Sequence, residues 1–196
     1  NFERAGGIEA FPHARVHVME AEREAAEKKR RGFIAARRYR PGQWDDVRDW
    51  RTYASSGEPW FGFDSVRSLD GLPPEILMVP LPGHTSGHAG VAIRTSAGWV
   101  LNAGDSYFYR RELDPDRRRC TPGLRLYQTM MDTDRKLRFQ NQVRLRDLKR
   151  RKGTDISIFC SHDQKELEAM QAEAATAGKP HLRRVEAASG SGEAAL

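Results

Sequence analysis

Between Ile76 and Asp105 the chain reads ILMVPLPGHTSGHAGVAIRTSAGWVLNAGD, a stretch that limits the possible folds more than any other. Ile76-Leu77-Met78-Val79 is an apolar run short enough for a buried strand. Pro80, Pro82 and Gly83 break it, and His84 and His88 follow in a turn of Gly, Thr and Ser. A second run, Val91-Ala92-Ile93, reaches a turn at Ser96-Ala97-Gly98, and a third, Trp99-Val100-Leu101, ends in Asn102-Ala103-Gly104-Asp105. A histidine and a carboxylate therefore each stand just past the C-terminal end of a strand. Loops there are held by a rigid sheet, which is where chemistry usually sits.

The remaining pattern alternates strands with helices, which indicates an α/β (α+β) fold. Arg15–Met19 alternates polar and apolar residues as a half-buried strand does, with His17 on its polar side. Glu20–Arg31 predicts a helix stopped by Gly32, with Glu24 and Lys28 paired one turn apart. Residues 41–75 read as irregular and rich in aromatics (Trp44, Trp50, Trp60, Phe61), suited either to covering a site or to packing on the sheet. Phe63–Leu69 predicts a strand. Pro122-Gly123 opens one long helix over about Leu124–Lys149, with Tyr127, Met130, Met131, Leu137, Leu145 and Leu148 on its apolar face and arginines opposite. Ile156–Cys160 is a late strand, Lys165–Ala177 a last helix, and the small polar tail 187–196 is expected to be disordered. One domain over 1–186 is long enough to bury a core.

Three of these elements resemble the metallo-β-lactamase-fold hydrolases. Pro82-Gly83-His84-Thr85-Ser86-Gly87-His88 matches the P-G-H-T-x-G-H turn, Gly104-Asp105 the later G-D, and His162 after Ile156–Ser161 the late-strand histidine. The resemblance implies an αββα sandwich and makes His84, Asp105 and His162 metal ligands, with Asp105 bridging up to two zinc ions. It further implies hydrolysis of a small ester, thioester or lactone through a metal-bound hydroxide. Asp105 would take part in catalysis, and Tyr107 or Tyr109 could donate to an oxyanion. His88 would lie beneath His84 and hold the turn. The chain departs from the family at its start. Aligning Ala5-Gly6-Gly7 with the residues after the H-x-H-x-D-H motif sets Asn1, Glu3 and Arg4 on three of its positions, and none matches. The first histidine, and about a third of the sandwich, would then precede Asn1. Each zinc would keep only two protein ligands where about three are usual.

Composition sets the competing readings. The formal charge of +6 permits anionic partners without requiring them. No nucleic-acid recognition motif accompanies the basic helix, so a small-molecule substrate is the expected partner and nucleic acid is disfavoured. No apolar run approaches the ~18 residues of a membrane span, and no export leader is visible, so a cytoplasmic protein is expected. Cys120 and Cys160 make no disulfide framework. A degenerate, non-catalytic relative remains the alternative to a hydrolase, and an open strand edge would favour a homodimer.

Overall fold

The computed structural model describes residues 6–28, 38–40, 42, 44–151 and 156–176. Its centre is a six-stranded sheet in sequence order: β3 (Glu58–Trp60), β4 (Phe63–Ser68), β5 (Ile76–Pro80), β6 (Ala89–Thr95), β7 (Gly98–Asn102) and β8 (Ile156–Phe159). Neighbours are antiparallel except β7 and β8, which are parallel. The Ser96–Gly98 turn links β6 to β7 as a tight hairpin, and Gly98 supplies the positive φ (121°) that closes it. A second, parallel pair, β1 (Arg15–Met19) and β2 (Asp49–Tyr53), is carried by α1 (Glu20–Lys28).

The sheet is buried on both faces, and consecutive residues of β5 show it. Met78 belongs to a cluster with Met19, Tyr53 and Leu69, which joins the sheet to the β1–β2 pair. Val79, one residue on and so on the opposite face, packs with Leu101, Ile156 and the helical Leu145 and Leu148. Ala25 and Ala26 of α1 close the outer side of the β1–β2 pair together with Tyr39, Val18 and Trp50. The layers run helix, strand pair, sheet, helix, which is an αββα sandwich. Each fully buried Leu or Val contributes roughly 1.5–3 kcal/mol of transfer free energy. Among the described residues no helix is long and apolar enough to cross a membrane.

Several sequence expectations change. The single helix over Leu124–Lys149 is two: α2 (Pro122–Met131) and α3 (Arg135–Arg151). The break is physical. Thr133 N–H donates to the Gly83 and His84 carbonyls, and Asp134 N–H to that of Gly83, so these amides leave the helical ladder. Leu145 and Leu148 are buried as expected, but Tyr127, Met130 and Leu137 are exposed. Residues 41–75 are less irregular than they read, since they contain β2 and β3. Their tryptophans pack inward: Trp60 sits edge-on to Trp99, and Trp44 and Trp50 cover the α1 cluster. His17 is half-buried rather than on the surface, its ring hydrogen-bonded to the Tyr53 hydroxyl at 2.7 Å. The end of the first helix beyond Lys28 and the tail at 187–196 lie outside the described residues.

Candidate metal centre

The topology explains why three residues so distant in sequence meet. β5 and β7 are both antiparallel to β6 and so run the same way, and β8 is parallel to β7. His84, Asp105 and His162 each follow the C-terminal end of one of these strands, so all three emerge at one edge of the sheet. The parallel ladder continues beyond the strands through Ala103 N–H to Phe159 O and Ser161 N–H to Gly104 O, both about 3 Å, which sets Asp105 against His162.

Asp105 is the hub. Its Oδ1 lies 3.0 Å from His162 Nε2 and its Oδ2 3.8 Å from His84 Nε2, one oxygen to each imidazole. Asp105 and His84 are buried, while the His162 side chain keeps 37% of its surface exposed and forms the open side. Two ligands of one tetrahedral zinc, with bonds near 2.0–2.2 Å, stand roughly 3.3 Å apart. The two observed spacings bracket that value, and imidazole with carboxylate is a donor set that zinc accepts. The donor chemistry therefore suits zinc, and if metal is bound, His84 and Asp105 would hold one ion and Asp105 and His162 the other. Among the described residues no group of three or more His, Cys, Asp or Glu side chains is placed to hold one metal ion, so His84, Asp105 and His162 do not form a three-ligand site as they stand.

His88 stands beneath this pair as a structural residue. Its Nδ1 donates to Leu81 O at 2.9 Å, and its Nε2 accepts the Asp105 N–H at 2.8 Å. Burial pushes its pKa down to about 3, so the ring is neutral and the tautomer is fixed by its two partners. Gly104 lets the ring come this close. Its φ is +57°, and a Cβ there would lie 2.6 Å from His88 Nε2. The His84 turn is clamped from outside. The Asn141 amide donates to Pro82 O at 2.7 Å, and the buried Arg38 donates to His84 O and Thr133 Oγ1. The fully buried Glu22 carboxylate accepts from Gly87 N–H.

Tyr107 is turned away from the role expected of it. The side chain is fully buried, and its hydroxyl donates to Glu166, 2.8 and 3.0 Å from the carboxylate oxygens. Burial, and then the Glu166 charge, raises its pKa well above the usual phenol value. Glu166 also accepts from Cys160 N–H, so the pair ties α4 (Gln164–Thr176) to the end of β8. Tyr109 is half-buried, and its backbone N–H donates to Glu112. The ring facing the two histidines is that of Phe108, 4.1 Å from His162 and 5.8 Å from His84 between centroids. Sequence reasoning passed over Phe108 because a phenyl ring carries no polar signal. It also passed over Arg38, which sat in an apparent surface run of arginines.

A strand-end histidine, aspartate and histidine at one rim of an αββα sandwich is the arrangement of the metallo-β-lactamase fold, and the chain has that fold. It is 38% identical over 169 residues to a probable metallo-hydrolase of Mycobacterium tuberculosis and to its Mycobacterium bovis counterpart, with 83% of this chain aligned. The match spans 52% of those proteins, so the chain covers about half the length of these curated relatives. An N-acyl homoserine lactone hydrolase, solved with N-hexanoyl-L-homoserine at its catalytic metal center, shares the fold. There the TM-score is 0.54 at 19% identity, over 84% of this chain and 53% of that one. No protein-family model matches the chain.

Proposed function

We propose that this chain carries part of the centre of a zinc-dependent hydrolase that opens a small ester, thioester or lactone. One observation carries the reading: the buried Asp105 carboxylate turns one oxygen to each of two imidazoles that only the strand directions bring together. Zinc held there lowers the pKa of a bound water toward neutrality and polarises a carbonyl. The protein's part is to fix the donors. His88 holds the Asp105 backbone, Arg38 and Thr133 hold the His84 carbonyl, and Phe108 keeps an apolar wall against both imidazoles. His162 is the exposed member of the three, its side chain keeping 37% of its surface.

A lactone is the first substrate to test, since the lactone hydrolase with the same fold holds its ring-opened product at the metal center. The second reading, a non-catalytic protein of the same fold, draws support from the lack, among the described residues, of any group of three or more His, Cys, Asp or Glu side chains placed to hold a metal ion. Metal analysis of the purified chain, with turnover of an ester, thioester and lactone panel, separates the two. Bound zinc with turnover that Asp105→Ala abolishes supports the hydrolase. A folded chain without zinc and without turnover supports the other.

A further inference from the structure

Beside the centre lies a trough built from cations. Two adjoining clefts of about 470 and 400 Å³ share Cys120 and Arg125. Arg118 and Arg119 line the first, and Arg135 lines the second. Their sizes fall in the range of small-molecule sites. Among the described residues none of the four guanidinium groups has a carboxylate within ion-pair distance, although the chain pairs Arg15, Arg110, Arg138 and Arg144 with carboxylates elsewhere. Glu112, whose charge reaches Cys120, is fully buried and already accepts from Gln128 and two backbone amides.

The arginines are also held in place. The Arg118 guanidinium lies 4.7 Å from the Phe139 ring centroid and Arg135 lies 5.3 Å from it, so one ring on α3 steadies a cation from each cleft. Arg118 donates in addition to Gln142 Oε1 at 3.4 Å. Like charges gathered on an aromatic platform repel one another until an anion enters. Guanidinium forks match phosphate oxygens better than any other side chain does.

We propose that this trough binds a phosphate-bearing small molecule, with Arg118, Arg119, Arg125 and Arg135 as its contacts and Phe139 as the platform that orders them. Trough and candidate centre are linked through neighbouring residues, since Tyr109 lines the trough and the adjoining Phe108 ring lies tilted against His162, 4.1 Å between centroids. Two sources of the phosphate follow, an arm of the hydrolysed substrate and a separate effector, and the test distinguishes them.

The test is calorimetric titration of the purified chain with inorganic pyrophosphate at fixed ionic strength. Saturable one-to-one binding is expected. Arg119→Gln/Arg125→Gln, both exposed positions, weakens it by about tenfold or more, since each charged hydrogen bond is worth roughly a factor of ten. Phe139→Leu leaves the net charge unchanged and weakens it about threefold or more, which diffuse attraction to a basic surface would not do. Asp105→Asn leaves the affinity unaltered. Pyrophosphate that competes with substrate in the turnover assay assigns the phosphate to the substrate, and binding without competition assigns it to an effector. Equal affinity in the arginine variant, or loss of binding in Asp105→Asn alone, overturns the proposal. Neither result bears on whether the centre hydrolyses esters.

Discussion

Replacing His88 with leucine tests whether the centre rests on a buried hydrogen-bonded ring. Wild-type His88 joins two backbone groups, the Leu81 carbonyl at 2.9 Å and the Asp105 amide at 2.8 Å, and the residue is 2% exposed. Leucine fills most of the same volume but can serve neither group. Each buried backbone group left unpaired costs about 1–3 kcal/mol, so the sum is about 2–6 kcal/mol against a typical domain stability of 5–15 kcal/mol. The loss is local as well as global, because the amide released is that of the residue whose carboxylate faces both imidazoles. Urea unfolding followed by tryptophan fluorescence and by circular dichroism should show a midpoint shift of that size with little change in slope. Zinc affinity, measured on the still-folded variant at low urea, should fall as well. A variant within about 0.5 kcal/mol of wild type that binds zinc normally would show that His88 does not support Asp105.

Acid should act on the same residue. The pKa of His88 is lowered to about 3 in the fold against 6.5 outside it, so the unfolded chain takes up the proton first. This contribution is complete above pH 6.5 and is lost as pH falls toward 3, at about 1.4 kcal/mol per unit. The stability gap between wild type and His88→Gln should therefore narrow between pH 7 and pH 5; a constant gap counts against a neutral buried ring. Gly87→Ala puts a Cβ 2.2 Å from the Glu22 backbone nitrogen and should cost at least about 2 kcal/mol by thermal melt. Gly123→Ala, with open space around it at the start of α2, should be neutral or gain up to about 1 kcal/mol. Tyr107→Phe removes the hydroxyl that the buried Glu166 accepts from and should cost about 1–3 kcal/mol, read by the same melt. A fall in kcat at unchanged stability would instead return the phenol to the substrate.

What the sequence revealed and what it hid divide along the range of the forces involved. The strands β5 to β8 were legible because their apolar runs are short and bounded by Pro, Gly and Asn, and that punctuation is local. His84, Asp105 and His162 were legible for the same reason, each closing a strand. The break at Asp132–Asp134 was not, because its cause is remote: the carbonyls of Gly83 and His84, about fifty residues earlier, draw two amides out of what would otherwise be a continuous helix. Local periodicity cannot register an acceptor that arrives from another strand. Arg38 and Glu22 were hidden in the same way, as charged residues in charged runs whose burial depends on the loop folded over them. Tyr107 shows the reverse error. A phenol two residues after a ligand invites a catalytic role, yet its direction was set by Glu166 on a helix nearly sixty residues later.

The same reasoning indicates where the centre can be altered without touching a donor. His84 is held through its carbonyl by Arg38 and by the Thr133 amide, and the Thr133 amide is available only because α2 and α3 do not join. Helix breaking and ligand placement are therefore one event. Substitutions that favour a continuous helix through Asp132-Thr133-Asp134, such as alanine at all three, set the helical ladder against the His84 turn. Alanine gains up to about 0.7 kcal/mol per residue in helix propensity, while the three backbone hydrogen bonds from Thr133 and Asp134 to the Gly83 and His84 carbonyls are worth about 1 kcal/mol each. The substitution also removes the Asp132–Arg138 pair at 2.7 Å, with both side chains almost fully buried, whichever way the segment folds. The break should therefore survive the triple substitution, with the fold weakened by the lost pair and zinc affinity only modestly reduced. A sharp loss of zinc, together with a gain in helical circular dichroism, would mean that the ladder had won and that the His84 turn is held less firmly than its hydrogen bonds suggest.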